Sequence, residues 1–150
     1  MSNITTLGAS EVAVHELEVE SELASLGRLR DWFTSLCDTA IEVSDRAWID
    51  SVNLAITEAT TNIIRHAYQS RHDQSIKMRV HAGDGQMTIR LLHTGTPFDG
   101  PNAIQAPDPL DLLEGGYGLF LLDTIMDSVS YEEFDQMQSI TLAKNLPASA

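Results

Sequence analysis

The chain has 150 residues, 43% of them hydrophobic, and a net charge of −13 from 9 basic and 22 acidic side chains. That length and apolar share describe one ordinary domain able to bury its own core, and they exclude a disordered regulator. So acidic a surface repels phosphate backbones, which argues against direct nucleic-acid binding, yet it suits basic protein partners.

Residues 1–10 hold neither the basic nor the apolar stretch of a signal peptide. No later run reaches the roughly 20 apolar residues that span a bilayer. A soluble, cytoplasmic protein with no membrane partner is expected. Residues 11–20 set Val12, Val14, Leu17 and Val19 among polar neighbours and predict an edge strand. Ser21 is the N-cap candidate for a first helix with the stripe Leu26, Leu29, Phe33, Leu36, Cys37 and Ala40. Cys37, the one cysteine, cannot close an internal disulfide and reads as a small core residue. Ser44 is the cap candidate for a longer second helix running to about Tyr68. Its buried stripe is Trp48, Val52, Ala55, Ile56, Ala59, Ile63, Ile64 and Ala67. Trp32 and Trp48 read as core aromatics of these helices.

Two strands follow, one around Ile76, Met78 and Val80 and one around Met87, Ile89 and Leu91, joined through Gly83-Asp84-Gly85. Residues 94–116 are dense in proline and glycine and predict a loop of the length that serves as a lid. Residues 116–127 read as a short helix entered through glycines. Val129 with Tyr131, then Ile140 with Leu142, predict a closing hairpin around residues 132–138, and the tail past Pro147 is expected to fray. This order predicts an α+β two-layer sandwich, a mixed and mostly antiparallel sheet covered on one face by helices. It forms a single domain with its core at about residues 12–143.

Glu58, Asn62 and His66 recur at every fourth residue of the second helix and so share one side of it. Asn62 and His66 fall on the border of the apolar stripe and Glu58 just outside, where a carboxylate and an amide can face a walled cleft. A solvated helix flank has the same spacing. Gly95 directly follows a strand, and Gly115, Gly116 and Gly118 open a helix. Glycines there let backbone N–H groups close on an anion with the helix dipole behind them; an ordinary glycine-rich turn has the same composition. No Walker loop is present, because no Gly-Lys-Ser/Thr follows. His15, His72 and His81 lack metal-ligand spacing and read as surface or packing residues. Asp108, Asp111 and Glu114 read as a solvated cluster.

Together and in this order, these runs resemble a known family. Residues 58–68, Glu-Ala-x-x-Asn-x-x-x-His-Ala-Tyr, resemble the N-box of the GHKL, or histidine kinase-like, ATPase superfamily. The version is similar to that of the bacterial anti-sigma factor serine/threonine-protein kinases. His93-Thr94-Gly95-Thr96-Pro97-Phe98-Asp99 is similar to that family's first glycine box, Asp-x-Gly-x-Pro-Phe-Asp. Glu114-Gly115-Gly116-Tyr117-Gly118-Leu119-Phe120-Leu121, followed by Met126-Asp127, is similar to its second. The likeness spans roughly residues 12–142.

The resemblance implies a Bergerat-type fold that binds ATP through Asn62, His66, His93, Gly95, Gly115, Gly116 and Gly118. Asn62 would ligate a Mg²⁺ ion that bridges the phosphates. Glu58 would be the general base toward a serine hydroxyl. Arg28 matches in position an arginine with which members contact partner proteins. The implied partners are an alternative sigma factor, which is sequestered, and a STAS-type anti-sigma factor antagonist, which is phosphorylated on serine. A homodimer and a lid over residues 96–114 that orders on Mg-ATP complete the expectation. One departure matters: His93 stands where the family carries an aspartate that accepts a hydrogen bond from the adenine amino group. A neutral imidazole accepts through one nitrogen and a protonated one through none. ATP binding is therefore expected to weaken as pH falls past about 6.5. A non-catalytic partner-switching domain on the same fold is the rival reading.

Overall fold

The computed structural model describes residues 3–7, 12–96, 117–134 and 136–148. Period-two alternation builds its sheet. In β3 (Ser75–Gly83), Ile76, Met78 and Val80 are buried, while Lys77, Arg79 and His81 between them are half-buried. In β4 (Gln86–His93), Met87, Ile89 and Leu91 point the same way as those three. The register sets Met78 beside Leu91 and Leu91 beside Ile140 of β6 (Met137–Asn145), one apolar row across three strands. Such rows stabilise a sheet through cross-strand contact and burial. With β1 (Asn3–Leu7), β2 (Val12–Glu20) and β5 (Ser128–Phe134), the sheet has six strands in the order β1-β2-β3-β4-β6-β5. All five pairings are antiparallel, so the parallel neighbour of a mixed sheet does not occur among the described residues.

The helices cover one face. α2 (Arg46–Asn62) packs between α1 (Ser25–Leu36) and α3 (Tyr117–Ile125). Every residue of the stripe read for α2 is buried, from Trp48 to Ala67. In α1, Leu29, Phe33, Leu36 and Cys37 are buried but Ala40 is exposed. The reason is a wide, π-type turn at Cys37–Ile41, which contains Ala40 and rotates it off the apolar line. Truncating a fully buried side chain such as Phe33 to alanine costs about 3–5 kcal/mol in a close-packed core.

Both serine caps are corrected. Asp45 caps α2, its carboxylate accepting from Trp48 N–H at 3.1 Å, because Asp45 is extended and Ser44 lies one residue too early. Ser21 does not cap α1, which begins at Ser25. Its hydroxyl donates to the Arg71 carbonyl and accepts from Gln74 N–H, fastening the end of β2 to the chain before β3. The Asp84-Gly85 pair makes a two-residue turn with φ of 55° and 77°, the primed geometry whose twist matches the strands it joins. The closing hairpin turns more tightly than its sequence suggests. Phe134 pairs directly with Met137, so β5 and β6 run on through residues 132–134 and 137–138. β1 falls in a stretch with no strand expected. The sheet face away from the helices is polar, with Arg79 Nε on Glu16 at 2.6 Å and the Ser75 hydroxyl on Glu18. No helix of the described residues is long and apolar enough to cross a membrane.

Candidate functional site

The last part of α2 carries the polar residues that its apolar stripe does not explain. Glu58 is half-buried and Asn62, one turn on, is 5% exposed. The Asn62 Nδ2 atom is buried and bonds nothing among the described residues. An amide in that state costs free energy that a bound ligand can recover, so it calls for a partner such as an ion, a water or a ligand. His66, expected on the same line, is exposed instead. A second π-type turn at Ile63–Ala67 widens the spacing beyond Asn62, so the every-fourth alignment ends there.

The chain leaves β4 directly against the end of α2. Thr94 N–H donates to the Tyr68 hydroxyl at 2.8 Å, and Thr96 N–H donates to the Ala67 carbonyl at 2.9 Å. Tyr68, fully buried, passes its own proton to the Ser75 carbonyl at 2.6 Å. Gly95 lies between these two fastenings, and a Cβ there would overlap the Ala67 carbonyl and touch the Tyr68 ring. Only glycine fits this approach.

His93 ends β4 on the helix-covered face, paired in register with Gln138. It is 1% exposed and meets the Tyr68 ring edge-on, centroids 5.8 Å apart. Gly95 N–H donates to its Nδ1 at 3.1 Å. Burial disfavours the charged ring and pushes its pKa down to about 4. The protonation expected near the ordinary histidine value is therefore corrected: the ring stays neutral well below it. Its acceptor nitrogen is also already taken, by Gly95. A pocket of about 220 Å³ opens beside the ring, lined by His93, Tyr131, Glu132, Glu133, Gln138, Ser139 and Ile140.

Arg28 is exposed on α1, beside Asp31 and Trp32. Gly118 lies in the first turn of α3. Gly115, Gly116, Pro97, Phe98, Asp99, the cluster Asp108, Asp111 and Glu114, and the expected lid lie outside the described residues. Cys37 behaves as read: burial, then Asp38, raises its thiol to about 12, so it is inert. The described residues contain no cluster of His, Cys, Asp and Glu able to cage a metal. A Mg²⁺ ion held by one amide, phosphate oxygens and water needs no such cage. Spacing alone assigns no role to Tyr68, whose hydroxyl orders the site. Its place inside an apolar stripe is the available signal, since a buried tyrosine needs a partner for its hydroxyl.

These features place the chain in a class. It belongs to the histidine kinase-like ATPase domain family, whose model matches residues 19–144. Within that class it is similar to the serine-protein kinase RsbW of Listeria innocua serovar 6a, 30% identical over 137 residues that cover 86% of this chain and 83% of that protein. It is also similar to RsbW of Halalkalibacterium halodurans, 35% identical over 94 residues covering 57% of this chain and 56% of that protein. The anti-sigma F factor of Clostridium beijerinckii is 33% identical over 89 residues, covering 56% of this chain and 61% of that protein.

Proposed function

We propose that this chain is a protein-serine kinase that is also an anti-sigma factor. It sequesters an alternative sigma factor in the cytoplasm and phosphorylates a serine on a STAS-type antagonist, as a homodimer. Family membership and the names of its relatives support the activity. The observation that carries the site is Asn62: a buried amide nitrogen without a partner among the described residues, one turn from a half-buried carboxylate, on a helix whose end grips a glycine-tight segment.

In this reading Asn62 holds Mg²⁺ through its side-chain oxygen, and the ion neutralises charge on the nucleotide phosphates. Glu58 takes the proton of the attacking serine hydroxyl, whose oxygen bonds the γ-phosphorus as the bridging oxygen leaves with the nucleoside diphosphate. Gly95 lets the backbone pass under the base, His93 and His66 border the nucleotide, and Gly115, Gly116 and Gly118 donate to the phosphates. Arg28 contacts the protein partner. A phosphate on the antagonist adds about −1.5 to −2 charge, which weakens docking on a chain of net charge −13.

The test is transfer of label from γ-labelled Mg-ATP to a STAS-type antagonist and to its Ser→Ala variant. Label on the serine protein alone supports the kinase. Label on neither, with the nucleotide still bound, leaves a binding domain without chemistry.

A further inference from the structure

The close approach of residue 95 to α2 requires glycine, and glycine loosens the backbone. A Cβ there would collide with the Ala67 carbonyl, yet without one the peptide turns more freely than any other. The end of α2 holds the amides on either side: Thr94 N–H goes to the Tyr68 hydroxyl and Thr96 N–H to the Ala67 carbonyl. The amide between them, on Gly95, donates to His93 Nδ1 at 3.1 Å instead. That bond fixes both partners. Nδ1 keeps its lone pair, so the proton of the neutral ring sits on Nε2. The Gly95 peptide gives up the freedom its residue type confers.

The spacing accounts for the residue type. A side-chain acceptor that takes the N–H two residues on is the turn that Asp and Asn make with Oδ1. Nδ1 of histidine lies the same number of bonds from the backbone. Histidine and the aspartate of the family's first glycine box therefore share an acceptor toward Gly95 and differ in charge. A neutral ring makes this turn without burying a charge, and here it is 1% exposed. It meets Tyr68 edge-on, centroids 5.8 Å apart, and Tyr68 in turn holds the Thr94 amide. Ring, tyrosine and three successive amides form one unit against the end of α2.

We propose that His93 is a positioning residue: what the nucleotide site needs from it is the Nδ1 acceptor toward Gly95, not a contact between the ring and the nucleotide. It acts through Gly95, holding the backbone of residues 94–96 to the course that α2 accepts. This rests on the proposed passage of Gly95 beside the nucleotide. Asparagine meets the requirement with Oδ1. Leucine, which branches at the same atom and has similar bulk, does not.

Amide hydrogen exchange and calorimetric titration with Mg-ATP, on the full chain, compare wild type with His93→Asn and His93→Leu. Gly95 N–H should exchange roughly fivefold faster in His93→Leu than in the other two, the worth of one hydrogen bond, while Thr94 and Thr96 keep their rates. Affinity should follow the acceptor: His93→Asn within about twofold of wild type, His93→Leu roughly fivefold weaker. Urea unfolding should rank the variants the other way, because leucine keeps the buried apolar bulk that asparagine gives up. His93→Asp supplies the same acceptor should His93→Asn fail to fold. His93→Leu binding as tightly as wild type, or His93→Asn as weakly as His93→Leu, overturns the positioning role. Equal Gly95 exchange in all three overturns the bond itself. No binding of Mg-ATP by wild type at millimolar concentration overturns the nucleotide site and the role within it, and the exchange order then stands for the bond alone.

Discussion

The Tyr68 hydroxyl accepts the Thr94 amide proton at 2.8 Å, joining the end of α2 to the end of β4 across 26 residues of chain. The same oxygen donates to Ser75, so one buried atom fixes the exit of the helix, the start of β3 and the entry to the glycine segment. Tyr68→Phe keeps the ring and strands both partners. It should cost about 1–3 kcal/mol in urea unfolding and weaken nucleotide binding with it. Unchanged stability would show that water replaces the hydroxyl at no cost.

Gly95→Ala drives a methyl group into a backbone carbonyl, and backbone cannot step aside as a side chain can. A loss of about 1–3 kcal/mol is expected, with nucleotide affinity falling as residues 93–96 shift. Gly27→Ala is the control. A Cβ there meets nothing within 4 Å, and Gly27 lies inside α1, so stability should rise by about 0.5–1 kcal/mol. Equal losses in both variants would contradict the collision.

Glu58→Gln removes a base and keeps the shape. Phosphotransfer should fall by orders of magnitude while nucleotide affinity stays within a few-fold. Normal label transfer by this variant would assign the base elsewhere. Asn62→Ala should do the opposite to binding, abolishing its Mg²⁺ dependence. Because Asn62 Nδ2 has no partner to lose among the described residues, unfolding should change by no more than about 1 kcal/mol. A large loss of stability in that variant would make Asn62 a structural residue.

Burial holds His93 near 4, below the value of about 6.5 in an unfolded chain. The unfolded state takes up a proton first, so this residue's contribution is intact above pH ~6.5 and is lost as pH falls from there toward 4. At ~1.36 kcal/mol per pH unit the whole effect is about 3 kcal/mol, of which about 2 should be gone by pH 5. His81, lowered by burial and then by Arg90, acts with the same sign. Urea unfolding at pH 7 and pH 5 should show wild type losing about 2 kcal/mol more than His93→Gln. The two proteins losing stability in parallel would mean that His93 is not held neutral. Nucleotide affinity should show no His93 transition between pH 8 and pH 5.

The periodic parts of the chain are legible in its sequence. The α2 stripe, the alternation in β3 and β4, and the motif order that leads to the histidine kinase-like ATPase family all reappear, because burial on one face writes itself into residue spacing. Bonds between distant residues leave no such mark. Ser21 has the residue type of a cap, but its bonds go to residues 71 and 74, some fifty positions away. Ser44 and Asp45 are adjacent cap candidates, and only backbone angle separates them. His66 keeps the every-fourth rule in the sequence and loses it at a wide turn. The state of His93 escapes the sequence for the same reason: a residue's chemistry follows its neighbours in space, and a pinned glycine sets this one.

The two tryptophans give the molecule a pair of independent optical probes. Trp48 is buried, with its indole N–H on the Asn145 carbonyl at 2.9 Å, so its emission should stay blue and steady until the fold is lost. Trp32 is half-buried on α1 beside Arg28, where a docking protein would strip water from its ring. A change in fluorescence without unfolding therefore reports on the α1 surface alone, and a Trp32→Phe chain would be silent to the same partner. If a protein docks on α1, as proposed for Arg28, its arrival can be followed in real time without attaching a dye.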